Sequence, residues 1–130
     1  MLLADSICAS KAFTESFQRE MREIFPDRKL ENIPVGDPLL STTYGGSDLR
    51  QVSRHEPSSQ AAGGRLEASA LKKGAPVLKG VKFGDRWGVI FSPYDLSCAL
   101  EKQDSLECRG YIREDAAKIG LNVVLYSLQQ

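Results

Sequence analysis

The chain has little that would mark a specialised chemistry. Its 130 residues include three cysteines, one histidine and one tryptophan. So few cysteines, and an odd number, exclude a disulfide scaffold and leave reduced thiols or a metal site as defaults. Both suit a reducing compartment, so the expected location is cytoplasmic. No apolar run reaches the roughly 20 residues that span a bilayer. Residues 1–4 are apolar, but no basic stretch precedes them and Asp5 follows, so they do not read as a signal peptide. Net charge is also missing: 17 basic residues balance 17 acidic ones. That removes long-range steering toward nucleic acid or an anionic membrane. Phosphate-loop and dinucleotide glycine motifs are absent, and Gly45-Gly46 and Gly63-Gly64 lack the strand–helix context such motifs need.

What is present describes an ordinary globular domain. Hydrophobic residues make up 42% and charged residues 26%. Scaling laws give a folded surface of roughly 6,800 Å² against roughly 20,700 Å² unfolded, enough burial for one core. The expectation is a single domain over 1–130. Residues 1–4 read as a buried strand. Ser10 is placed to cap a helix in which Phe13, Phe17, Met21, Ile24 and Phe25 recur at helical spacing, with Pro26 ending it. Leu30 and Ile33 flank a short extended stretch, and Asp37-Pro38 opens a turn. Residues 42–74 lose regularity and read as a long loop. Two strands, 81–83 and 86–91, flank Gly84-Asp85 as a hairpin with a glycine-first turn. A short helix near 95–101 and a final helix over 114–128 complete the chain. This order predicts an α/β fold: a mostly parallel sheet flanked by helices, with one β-hairpin.

Several stretches together carry a family resemblance. They are Ala4-Asp5 with Cys8 and Phe13, Phe17-x-x-Glu20-Met21 leading to Ile24-Phe25-Pro26, and Asp37-Pro38-Leu39. Trp87-Gly88-Val89-Ile90-Phe91-Ser92-Pro93-Tyr94-Asp95-Leu96 and Asp115-Ala116-Ala117 leading to Gly120-x-Asn122-Val123 follow. The chain resembles an uncharacterised bacterial domain family related to the class I glutamine amidotransferase-like fold. The resemblance spans nearly everything outside 46–73, and Phe91 to Leu96 is its most specific part. It implies a glutamine amidotransferase-like or flavodoxin-like sheet. It also implies that further strands and helices precede Leu2, making this the C-terminal portion of the full fold. Amidotransferases carry a Gly-x-Cys-x-Gly elbow and a His-x-Glu pair. Here Cys8 lies in Ser6-Ile7-Cys8-Ala9-Ser10 and His55 is followed by Glu56-Pro57, so the resemblance implies the fold without the Cys-His-Glu triad.

If the first strand and the strand through Phe91 are parallel, the loops after them meet at the carboxyl end of the sheet, where open α/β folds bind ligands. That nominates Asp5, Cys8, Tyr94 and Asp95 as ligand-edge residues. Both aspartates also suit capping of backbone amides, and capping is the favoured role. Cys8, Cys98 and Cys108, with His55, Asp5, Asp95 or water as a fourth ligand, would suit zinc. Simple packing of free thiols is the favoured alternative, and a Cys98–Cys108 or Cys8–Cys98 disulfide is a further one. A Cys8–His55 nucleophile pair is the weakest option, with His55 expected on a solvated loop. Lys72, Lys73, Lys79 and Lys82 read as a solvated face rather than a nucleic-acid patch. The leading function is therefore a non-catalytic ligand- or partner-binding domain. The alternatives are a zinc-binding protein and a cysteine-nucleophile hydrolase. Zinc is the only cofactor suggested. Apolar surface left bare on the first strand and helix would favour a homo-oligomer.

Overall fold

A computed structural model describes residues 1–55, 71–101 and 109–129. Strand β1 (Leu2–Asp5) leads through a 3-10 turn at Ile7–Ala9 into helix α1 (Lys11–Ile24). The Ser10 hydroxyl accepts the Phe13 amide at 3.2 Å, which caps an otherwise orphan donor of the first turn. The helix stops at Ile24, and Pro26 cannot extend it. Its apolar stripe lies on the sheet. Phe17 stacks on Phe91 with centroids 4.3 Å apart, and Met21 packs with Val81 and Val89. Fully burying one such side chain contributes about 1.5–3 kcal/mol. Ile24 departs from the expected stripe and stands exposed at the last helical position.

Strand β2 (Glu31–Asn32) is followed by a 3-10 turn at Pro38–Leu40. One oxygen of Asp37 caps the Leu39 amide at 2.9 Å, and the other accepts the Trp87 indole N–H at 2.9 Å. Strands β3 (Val52–His55) and β4 (Leu71–Gly74) form an antiparallel pair. The stretch 42–74, which reads as irregular, thus contains two strands. Only β3 is buried, from Val52 to Arg54, so no alternating pattern marks β4.

Strands β5 (Lys79–Phe83) and β6 (Arg86–Ser92) form the expected hairpin. Gly84 supplies the positive φ, +64°, that its two-residue turn requires. The register slips by one residue between Val81 and Lys82, leaving Gly88 as the extra residue on β6. A Cβ at Gly88 would run into the Phe83 ring, so the bulge and the glycine belong together. Helix α2 (Ser97–Leu100) and helix α3 (Arg113–Leu128) follow.

The main sheet runs β1-β6-β5-β2. Only β1 and β6 are parallel, while β6–β5 and β5–β2 are antiparallel. The mostly parallel, flavodoxin-like or glutamine amidotransferase-like arrangement is therefore not what this chain adopts. The sheet is mixed, and a second, separate pair is antiparallel. The tight Gly84-Asp85 turn forces β5 against β6 antiparallel, and β2 joins on the far side of β5 without a helical crossover. Of the described strand pairs, one parallel pair remains, bringing the loops after β1 and β6 to the same end. Helix α1 covers one face of the sheet. On the other, Ile119, Val123 and Tyr126 of α3 share the larger core with Trp87, Ile90, Leu39 and Val52.

Candidate functional site at the carboxyl end of the parallel pair

Asp5, the last residue of β1, and Asp95, in the loop after β6, brace each other's loops. The Asp5 Oδ2 accepts the amides of Leu96 at 2.8 Å and Ser97 at 2.9 Å, and the Ser97 hydroxyl at 3.1 Å. Asp95 is 1% exposed. Its Oδ2 accepts the Cys8 amide at 2.6 Å, and its Oδ1 accepts the Cys98 amide at 2.8 Å and the Ser97 hydroxyl at 3.3 Å. Each carboxylate caps backbone that belongs to the other strand's loop. Both aspartates therefore act as caps, and Asp95 holds both its own helix and the turn after β1. Carboxylates so engaged are poor candidates for proton transfer, which needs an oxygen within reach of substrate.

The turn they hold is unusual. Cys8 and Ala9 lie at φ +55° and +51°, the left-handed region that non-glycine residues seldom occupy. Strain of this kind persists only when surroundings over-determine it. Here the Cys8 amide is fixed by Asp95, the Ser6 amide donates to the Ser92 carbonyl at 2.9 Å, and the buried Ser6 hydroxyl donates to the Ser10 carbonyl at 2.8 Å.

Cys8 is an exposed free thiol, whereas Cys98 is disulfide-bonded. Reading the cysteines as reduced thiols thus holds for Cys8 and not for Cys98, and a Cys8–Cys98 bond is not the one formed. A sulfur in a disulfide is not a thiolate donor, so Cys98 does not offer zinc the ligand expected of it. Cys108 lies outside the described residues. His55 stands on β3 opposite Leu71, half-buried, with its amide donating to the Gly110 carbonyl at 2.8 Å. It belongs to a strand rather than a solvated loop. Among the described residues, no three His, Cys, Asp or Glu side chains converge as a metal site would need.

Tyr94 presents its ring to Arg54, whose guanidinium carbon lies 4.7 Å from the centroid, and meets Tyr111 edge-on at 6.1 Å. Arg54 is 7% exposed, a burial that its place beside His55 and Glu56 in a polar stretch did not announce. Tyr111 is also buried, and its hydroxyl accepts the Val77 amide at 2.9 Å. Burial pushes its phenol up to about 12, against smaller lowering effects from that hydrogen bond and from Arg54. Residues 110 and 111 thread between Asp95 and Arg54 as bridges to both. At Gly110 a Cβ would strike the Asp95 carbonyl, so only glycine fits. Tyr94 was among the ligand-edge residues nominated from sequence, whereas Arg54, Gly110 and Tyr111 were missed because their signal is long-range pairing, not local pattern.

These features describe a mixed α/β domain whose end loops are cross-braced by two aspartates. The chain matches the family described as a domain of unknown function, DUF4159, over residues 1–128, and it belongs to that family. No curated protein and no solved structure matches it. No helix among the described residues is long and apolar enough to cross a membrane.

Proposed function

We propose that this domain is a non-catalytic partner-binding module that takes an extended peptide strand onto the lateral edge of β1. Among the described strands, the contrast between the two edges of the main sheet carries the reading. The β2 edge is two residues long and exposes Glu31 and Asn32, a blunt and polar end. The β1 edge is four residues long and carries Leu2 and Leu3, 46% and 40% exposed, on opposite faces of the sheet. It has none of the lysines, prolines or bulges that discourage pairing. Its only charge, Asp5, is engaged by α2.

The surroundings extend this apolar edge. Phe13, 46% exposed, packs on Phe91, the register partner of Ala4. A hollow of about 500 Å³ near the start of β1 is lined by Met1, Phe83, Arg86, Trp87, Gly88 and Ser127. An added strand would gain backbone hydrogen bonds from the edge and seat alternate side chains on the two faces. The bracing of Asp5 and Asp95 weighs against acid–base catalysis at the carboxyl end.

The chain itself is the available strand for a test. Two copies pairing β1 antiparallel about a two-fold axis should self-associate measurably at concentrations up to about 1 mM. Sedimentation equilibrium should show this, and Leu3→Lys should abolish it while leaving the thermal midpoint nearly unchanged. The β1 amides should gain hydrogen-exchange protection as association proceeds. A monomer throughout that range, with the β1 amides equally labile at every concentration, would overturn the reading.

A further inference from the structure

We propose that the hollow at the start of β1 is a binding site for a carboxylate carried on a flat apolar body. Its shape comes from the strand ladder. β1 pairs with β6 only over Val89–Ser92, so Arg86–Gly88 run on past the start of β1. Among the described strands nothing else pairs with that edge of β6. Gly88 adds no side chain there, and the Phe83 ring stands close to where its Cβ would be. Helix α3 supplies Ser127 to the wall. What remains is a space of about 500 Å³, inside the roughly 300–1,000 Å³ of small-molecule sites.

The walls set the chemistry of the occupant. Phe83 and Trp87 both line the hollow, and Phe83 is 38% exposed. An aromatic group gains by covering such surface and by packing against its rings. Among the described residues that line the hollow, Arg86 is the one charged side chain. Its guanidinium is already held in place. Nη2 donates to the Tyr126 carbonyl at 3.0 Å, and the guanidinium carbon lies 5.1 Å from the Tyr126 ring centroid. That contact spends one of the five N–H donors of the group. Among the described residues no carboxylate forms an ion pair with it. A pinned guanidinium with donors to spare suits a carboxylate, which it binds through two parallel N–H bonds. The Lys82 ammonium, 4.6 Å from the Trp87 centroid, adds a second cation beside the same wall and favours an anion further. Strand addition at the lateral edge of β1 uses none of these groups, so the two readings stand separately.

The test uses the full chain, labelled with nitrogen-15, and 3-phenylpropanoate as the probe. The primary amide of the same acid is the control of equal shape. On titration at pH 7, the Trp87 indole N–H, the Arg86 Nε–H and the Gly88 and Ser127 amides should shift together and saturate, with a Kd of about 1 mM or below. The amide should bind at least about tenfold more weakly, because it brings no charge to the guanidinium. Arg86→Gln should bring acid and amide to equal affinity. If that variant fails to fold, the comparison of acid with amide on the unaltered chain still decides. Leu3→Lys should leave the affinity for the acid unchanged, so failure here and failure of strand addition are read apart. The same carboxylate chemistry comes from a free acid or from a peptide C-terminus. A short peptide ending in phenylalanine with a free carboxylate separates them: tighter binding than 3-phenylpropanoate assigns the hollow to peptide ends, weaker binding to free acids. Equal binding of acid and amide by the unaltered chain, or shifts that never saturate, would overturn the proposal.

Discussion

At the scale of single residues, Asn122 ties α3 to the loop that follows Pro38–Leu40. Its Nδ2 donates to the carbonyls of Leu39 at 2.9 Å, Ser41 at 3.3 Å and Ser47 at 2.8 Å, and its Oδ1 accepts the Ser47 amide at 2.8 Å. One side chain thus satisfies a loop that has no ladder of its own. Gly46 lies so close that a Cβ there would collide with the Asn122 amide group. Removing this side chain leaves the buried Leu39 carbonyl and the partly buried Ser41 and Ser47 groups without this partner, and a fully buried group so orphaned costs about 1–3 kcal/mol. Asn122→Ala should therefore lower stability by about 3 kcal/mol, read as a drop in the urea midpoint at unchanged slope. Asn122 was visible in the sequence as a polar break in the apolar second half of the last helix. The pattern could not say what it held, because its partners lie 75 to 83 residues away in the chain.

At the scale of elements, what was legible followed from local rules. Ser10, the Phe17–Met21 stripe, the Gly84-Asp85 turn and the last helix all act within a few residues of themselves. The direction of the strands did not follow, because it depends on which strand lies beside which. The Val89-Ile90-Phe91 run read as a strand covered on both faces, which is true of β6, but such a run does not require parallel neighbours. β4 was illegible because its exposed Leu71, Lys72 and Lys73 have no buried face to set a period. At the carboxyl end, the capping role of Asp5 and Asp95 was legible from their places beside strand ends, although not that each would serve the other's loop. One element-level prediction is direct. Ser10→Ala removes the acceptor for Phe13 and should cost about 1 kcal/mol, seen as a lower thermal midpoint and faster exchange of the first-turn amides.

At the scale of the whole molecule, Tyr111 ties global stability to alkaline pH. Its phenol is held at about 12 in the folded chain against an ordinary value of 10.0, chiefly by burial. Below pH 10 both states keep the proton and the stability is fully present. Between about pH 10 and 12 the unfolded chain gives up the proton first, so stability falls by about 3 kcal/mol across that window. Urea unfolding measured across it should show this loss, and Tyr111→Phe should remove this part of the pH dependence while losing the hydrogen bond to Val77.

The register of β1 on β6 has a kinetic meaning as well. Leu2 pairs with Val89 and Asp5 with Ser92, so β1 meets its β6 partner only after about 87 further residues have been made. At roughly 5–20 residues per second, that is a wait of about 4–20 s. For that interval the parallel ladder to β6 cannot form, and Leu2 and Leu3 are open to other contacts before β6 arrives.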